Sequence, residues 1–114
     1  MIHPAKPIVD GLAAFRRANV ARCDIDFHLL ESWSESEWCL AACGELGEAA
    51  NIIKKRLRGE PIPIEVVAAE LADTVTYIDL LAARMGIDLG AALVAKFNVV
   101  SDRIHSKTRF DLNI

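Results

Sequence analysis

Two pairs of acidic residues lie at equal distances on either side of Gly59 in this chain. Glu45 and Glu48 precede that glycine by 14 and 11 residues, and Glu70 and Asp73 follow it by 11 and 14. Both pairs occur in helical, mostly apolar segments, and the Gly-Glu-Pro-Ile-Pro stretch between them cannot continue a helix. A chain reversal there predicts an antiparallel helical hairpin in which all four carboxylates lie at one level.

The spacing within each pair puts both of its acids on one face of a helix. Each pair also interrupts an apolar stripe, whereas Asp79 falls on the opposite face of the third helix. Four negative charges between two helices would repel one another unless a cation neutralises them. The pattern therefore predicts a metal site. Solvated surface acids and a structural ion-pair network remain the alternatives.

The types of ligand indicate which metal such a site would hold. Carboxylate oxygens favour Mg²⁺, with Mn²⁺ as a possible substitute. A di-iron site would need Glu-x-x-His motifs, and neither acidic pair has a histidine at that spacing. Since protein-bound Mg²⁺ usually keeps coordination positions for substrate phosphates, we expect a nucleotide or another polyphosphate as the substrate.

Apolar periodicity and capping signals predict four helices with short connections. Ser34 and Glu37 form a capping-box signature at the start of the second helix, Gly86 ends the third, and Asp88 can cap the fourth. The expected fold is one all-α domain over residues 1–114 with its core at about 9–106, in which no strand is predicted and both termini are loose. The predicted helices cover residues 9–22, 35–58, 64–85 and 89–105, and Leu12, Phe15 and Val20 are expected to face inward.

Composition excludes several classes of protein. The net charge of −3 argues against a general nucleic-acid binder, which is more often basic. No apolar run reaches the roughly 18 residues of a membrane span, and the N-terminus lacks the apolar core of a signal peptide. Three cysteines are an odd number, and buried thiols in a reducing cytoplasm are the simplest interpretation. We therefore expect a cytoplasmic protein without a nucleic-acid or membrane partner.

The acidic pairs and their neighbours resemble those of the MazG-type nucleotide pyrophosphohydrolases. The resemblance rests on the two motifs Gly-Glu-Leu-Gly-Glu-Ala-Ala-Asn and Glu-Leu-Ala-Asp-Thr-Val, with 21 residues between Glu48 and Glu70, and it covers roughly residues 28–110. It implies a four-helix MazG-type bundle that assembles as a homodimer or tetramer. It also implies a Mg²⁺-dependent enzyme that converts an NTP or dNTP to the monophosphate and pyrophosphate, in nucleotide-pool house-cleaning.

The resemblance also implies roles for particular residues. The four acids would hold the metal, and Glu45 or Glu48 would deprotonate the water that attacks the α-phosphorus. The fourth helix matches a segment that reaches substrate phosphates or ribose in these enzymes, and two positions of the second helix also lie within reach of a bound triphosphate. These candidate phosphate and ribose contacts are Asn51, Lys55, Lys96, Asn98 and Arg103.

Few aromatic residues are available to contact a base. Trp33, Trp38 and His28 precede or begin the helix with the first acidic pair, so they are the candidate base contacts. Tyr77 follows Asp73 by one turn and is either a hydrogen-bond donor near the metal or a core residue.

Two other functions fit the same residues. A related enzyme would cleave a phosphoribosyl-nucleotide pyrophosphate, and a catalytically silent helical module would use the acids for Mg²⁺-stabilised assembly. The uncharged face of the second helix around Gly44 and Gly47 predicts contact with another subunit in either case.

Overall fold

The computed structural model describes residues 1–113. Within these residues the chain forms four α-helices and two strands of three residues each, so the prediction of an all-α fold is confirmed. None of these helices is long and apolar enough to cross a membrane. The elements in chain order are β1 (Ile2–Pro4), α1 (Lys6–Arg22), α2 (Glu35–Leu57), α3 (Ile64–Arg84), α4 (Leu89–Arg103) and β2 (Arg109–Asp111).

Helices α2 and α3 form the hairpin that the sequence predicts, with boundaries within one residue of those expected. The capping box at the start of α2 is present, since Ser34 Oγ accepts from the Glu37 N–H at 3.1 Å and Glu37 Oε1 accepts from the Ser34 N–H at 3.3 Å. Gly59 has a φ of 93°, which an L side chain rarely adopts, and the chain reverses there. The hairpin thus follows from local signals at both of its ends.

Helix α1 packs against α3 and α4 and begins earlier than predicted. It starts at Lys6 instead of residue 9 because Pro7 lies in its first turn, where a missing N–H costs nothing. A π-helical turn over Cys23–Phe27 and a 3-10 turn over Leu30–Ser32 follow. Phe15 was expected to face inward, but it is 40% exposed, because its face of α1 is not covered by this chain.

The prediction of loose termini without strands is wrong. Strands β1 and β2 pair in parallel, with His3 opposite Phe110. Asn98 of α4 holds β2 in place, since its Nδ2 donates to the Phe110 carbonyl at 2.8 Å and its Oδ1 accepts from the Phe110 N–H at 2.8 Å. Strands of three residues are too short to give a recognisable alternation, so sequence patterning did not indicate them.

The protein is flat and leaves much apolar surface uncovered. It measures 41 × 39 × 22 Å, and its radius of gyration of 16.6 Å exceeds the ~13 Å of a compact domain of this length. Its accessible surface of 7564 Å² exceeds the ~6,200 Å² typical of a monomer of this mass. Leu40 of α2 is 74% exposed and Leu57 is 87% exposed. A small core surrounds Cys23, Trp38 and Leu80.

Candidate metal-binding site

Three carboxylates from the two helices of the hairpin converge. Glu45 of α2 and Glu70 and Asp73 of α3 each offer an oxygen atom, and these three atoms lie within 4.8 Å of one another. Glu48, one turn beyond Glu45, is exposed, and its negative charge acts on both Glu45 and Glu70. The structure therefore brings all four predicted acids into one neighbourhood, with three of them at its centre.

The acids disfavour one another's ionisation. Loss of hydration raises the pKa of Glu45 most, and the charges of Glu48, Asp73 and Glu70 raise it further. Loss of hydration also raises the pKa of Glu70, followed by the charges of Glu48 and Asp73. Within residues 1–113, no lysine, arginine or histidine forms an ion pair with any of the four acids. The negative charge of the cluster is thus uncompensated.

The donor set fits a small divalent cation. Glu70 Oε2 is buried and has no hydrogen-bond partner in the described chain, which is costly for a carboxylate oxygen. Two oxygens on opposite sides of a Mg²⁺ ion are about 4.2 Å apart, given a metal–oxygen distance of about 2.1 Å. Oxygens that lie within 4.8 Å of one another therefore need at most a small side-chain adjustment to surround such an ion.

Tyr77 connects the acids to an aromatic cluster. Tyr77 follows Asp73 by one turn of α3, burial raises the pKa of its hydroxyl most, and the charges of Glu45 and Asp73 raise it further. Its ring lies 6.1 Å from that of Trp38 between centroids. The cluster continues through Trp33, His28 and Phe27, with neighbouring ring centroids 4.1–4.6 Å apart.

The candidate base contacts occupy different positions in this cluster. Trp38 is completely buried and its indole N–H donates to the Leu30 carbonyl at 3.0 Å, so in this chain it is a core residue and offers no surface to a base. Trp33 and His28 are half-buried. His28 Nε2 is buried without a hydrogen-bond partner among residues 1–113.

The candidate phosphate contacts of α4 are not gathered at the acids. This helix packs mainly against α1 and β2, and Lys96 and Arg103 on it are exposed. Asn98 is buried, and both ends of its amide bond the backbone of Phe110, so its side chain holds β2 in place. On α2, Asn51 is exposed and Lys55 is half-buried beyond Glu48.

A cavity of about 160 Å³ opens between the end of α1 and α3. Tyr77 borders it, so the cavity and the acids share a side chain. This cavity was not predicted from the sequence, although the polar residues Arg16 and Asn19 beside Leu12 and Phe15 were a signal that could have indicated it. The residues lining the cavity are Asn19, Arg22, Cys23, Phe27, Thr76, Tyr77 and Leu80.

Comparisons with protein-family models, with curated proteins and with solved structures found no match to this chain.

Proposed function

We propose that this protein is a Mg²⁺-dependent nucleoside triphosphate pyrophosphohydrolase of the MazG type. The observation that carries the proposal is the cluster of Glu45, Glu70 and Asp73, whose oxygens lie within 4.8 Å of one another without a protein cation to neutralise them. Glu70 Oε2 is buried and has no hydrogen-bond partner within residues 1–113, which supports the proposal that a ligand from outside the chain binds it. Its three free cysteines suit the reducing cytoplasm that we propose as its compartment.

The proposed roles follow from the position of each acid. Glu45, Glu70, Asp73 and Glu48 would hold Mg²⁺, or Mn²⁺ in its place, which when bound supplies electrostatic stabilisation of phosphate oxygens and acidifies a coordinated water. Glu45 lies within the cluster of acids and is the candidate base toward that water. Glu48 is the alternative base because it is exposed one turn further along α2.

We further propose that the protein works as a homo-oligomer. The acids lack a neighbouring cation, and the exposed Lys96 and Arg103 lie on a helix that packs mainly elsewhere. A second copy could bring such cations to the phosphates. The accessible surface in excess of a compact monomer is more than the ~800 Å² that each partner contributes to an interface of standard size.

Light scattering at micromolar concentration should give at least a dimer. Replacing the exposed Leu40 by Glu should shift the protein toward the monomer, because it would place a charge in the apolar contact face. The matched control is Leu112→Glu, at a leucine that is also exposed but lies after β2. A wild-type particle of 12.5 kDa would contradict the assembly proposal.

A panel of NTPs and dNTPs with purified protein and Mg²⁺ tests the activity. We expect the nucleoside monophosphate and pyrophosphate as products. In ¹⁸O-labelled water the label should enter the monophosphate, because water attacks the α-phosphorus. Label found only in pyrophosphate would show β-attack and contradict this mechanism. Activity restricted to a phosphoribosyl-nucleotide pyrophosphate would favour the related enzyme, and no activity on any of these substrates would favour the silent assembly module.

A further inference from the structure

Helix α2 has one side that the described chain does not cover. Within residues 1–113 it packs mainly against α3, and its buried residues are Trp38, Ala42 and Ala49. These three residues share one side of the helix, since they recur at intervals of four and seven. The opposite side is exposed from the first turn to the last. A whole face of this long helix is therefore available to a partner.

The exposed face carries no charge along the middle of the helix. This outer face is formed by Cys39, Leu40, Cys43, Leu46, Ala50 and Ile53. Leu40 is 74% exposed, Leu46 is 55% exposed and Ile53 is 45% exposed. Glu48 is the only charged residue exposed between residues 39 and 53, and it acts with the acidic cluster. Because large apolar patches on a protein surface usually mark an interaction site, we expect a partner to cover the outer face.

Charges of opposite sign lie at the two ends of the outer face. Glu35 is in the first turn of α2, and Lys54 and Arg58 are at its other end. Glu35 and Lys54 form no ion pair within residues 1–113, and Arg58, which pairs with Glu60, is still 59% exposed. This order of charges also suits the dipole of α2, so by itself it identifies no partner. It does determine direction, because a helix with the same order brings opposite charges together only when it runs antiparallel.

We propose that the outer face binds the α2 helix of a second copy of this chain, antiparallel and about a two-fold axis at the peptide bond between Leu46 and Gly47. Glu35 and Arg58 are equally distant from that peptide bond along the sequence, so each lies opposite the other across the axis. A two-fold contact makes this pairing of opposite charges twice. It also places the N-terminus of each helix beside the C-terminus of the other, which the two helix dipoles favour.

The same register matches the uncharged residues of the outer face. Leu40 lies opposite Ile53 of the second copy, and Cys43 lies opposite its Ala50. At the axis, a Cβ added to Gly47 would meet nothing within 4 Å, so the two backbones can approach closely there. A second copy supplies all of these matches by symmetry, whereas an unrelated partner would need the same pattern of charge and size.

The dimensions of the protein suit such a contact. Helix α2 has 23 residues and is therefore about 34 Å long. The accessible surface of 7564 Å² exceeds that of a compact monomer by more than the ~800 Å² that each partner contributes to a stable interface. This inference rests on the proposed assembly and is independent of the proposed hydrolysis.

Reversal of the charge at each end tests the antiparallel arrangement. Glu35→Lys and the double variant Lys54→Glu with Arg58→Glu should each weaken self-association at least about tenfold, because like charges then face each other at both ends of the contact. An equimolar mixture of the two proteins should recover wild-type association to within about threefold, because every facing pair is then of opposite sign. Analytical ultracentrifugation measures both effects. The control is Glu65→Lys, at an acid in the first turn of α3, which should leave association unchanged.

A disulfide tests the register. Cys39→Ser with Ala50→Cys should give a disulfide-linked dimer under mild oxidation, because position 50 lies opposite Cys43 of the second copy. The control adds Cys43→Ser, so that its only outer-face thiols are at position 50 of each copy. These would be about 10 Å apart along the helices, beyond the roughly 4.4–6.8 Å between the Cα atoms of a disulfide. Equal yields of cross-linked dimer from the two proteins would overturn the register.

The failure of this contact is distinguishable from the failure of the assembly or of the activity. A wild-type dimer whose association is unchanged by either charge reversal, or a mixture that associates no better than its components, would overturn the α2 contact and leave the proposed assembly intact. A wild-type monomer would overturn both. Pyrophosphate release from NTPs is measured separately and bears on the proposed enzyme alone.

Discussion

Replacing Asp73 by Asn is expected to lower Mg²⁺-dependent pyrophosphate release by about 10²–10³-fold, and to raise the melting temperature of the metal-free protein. Activity should fall because a neutral amide is a weaker ligand for Mg²⁺ than a carboxylate. The metal-free protein should become more stable because one of several like charges within a few ångströms is removed. Glu70→Gln and Glu48→Gln should change both quantities in the same directions.

The control for these variants is Glu65→Gln, which makes the same chemical change at an exposed position in the first turn of α3. It should leave both activity and melting temperature near their wild-type values. Activity would be followed by pyrophosphate release, and stability by thermal unfolding in EDTA. An Asp73→Asn protein with normal Mg²⁺-dependent turnover would contradict the assignment of these acids as the metal-binding site.

The same cluster predicts how the stability of the metal-free protein depends on pH. The pKa values of Glu45 and Glu70 are raised above 4.5 in the folded state. Between 4.5 and those raised values, the folded state binds more protons than the unfolded state, so the free energy of unfolding falls as pH rises. Mg²⁺ should oppose this fall, because it stabilises the ionised carboxylates. A melting temperature independent of both pH and Mg²⁺ would contradict the electrostatic account.

The elements predicted well from the sequence are those that local chemistry specifies. The capping box of Ser34, the positive φ of Gly59 and the prolines after it determine both ends of the α2–α3 hairpin. The symmetry of the acids about that turn then indicates that they meet. Each of these signals lies within a few residues of the feature it predicts.

The features that the sequence did not reveal depend on contacts between distant residues. On α4, Asn98 is buried whereas Lys96 and Arg103 are exposed, and its hydrogen bonds to the backbone of Phe110 require a strand that no pattern predicts. Trp38 is a core residue because the turns after α1 cover it, and those turns follow no periodicity. Its position at the start of the helix that carries the first acidic pair could not distinguish a base contact from a buried residue.

Asp79 is the clearest case in which the sequence predicts the helix face of a residue but not its contacts. Periodicity puts it on the face of α3 opposite the acids, without indicating what covers it. In the structure it is completely buried, and its carboxylate accepts from Arg16 Nε at 2.8 Å and from Asn19 Nδ2 at 3.0 Å. Arg16 Nη1 also donates to the Ile87 carbonyl at 3.0 Å, so this guanidinium links α1 to α3 and to the turn before α4.

Asp79→Ala should destabilise the protein by about 3–5 kcal/mol, since removing one partner of a buried ion pair leaves the other charge without compensation. The side chain of Arg16 is only 22% exposed, so water can replace the lost carboxylate only in part. The control is Asp10→Ala, which breaks the exposed pair with Lys6 and should cost at most about 1 kcal/mol. Urea unfolding at one fixed protein concentration measures both values, because assembly contributes to apparent stability.

The double variant Arg16→Met with Asp79→Leu tests how much of this cost comes from leaving the charge of Arg16 unpaired and how much from losing the ion pair itself. It removes both charges together and should recover much of the stability that Asp79→Ala loses, since an apolar pair of similar volume needs no compensation. It also leaves Asn19 Nδ2 with only the Thr76 carbonyl as an acceptor. We expect this variant to be more stable than Asp79→Ala despite that lost hydrogen bond. If Asp79→Ala and Asp10→Ala lose equal amounts of unfolding free energy, the buried ion pair is no more costly to break than the exposed one.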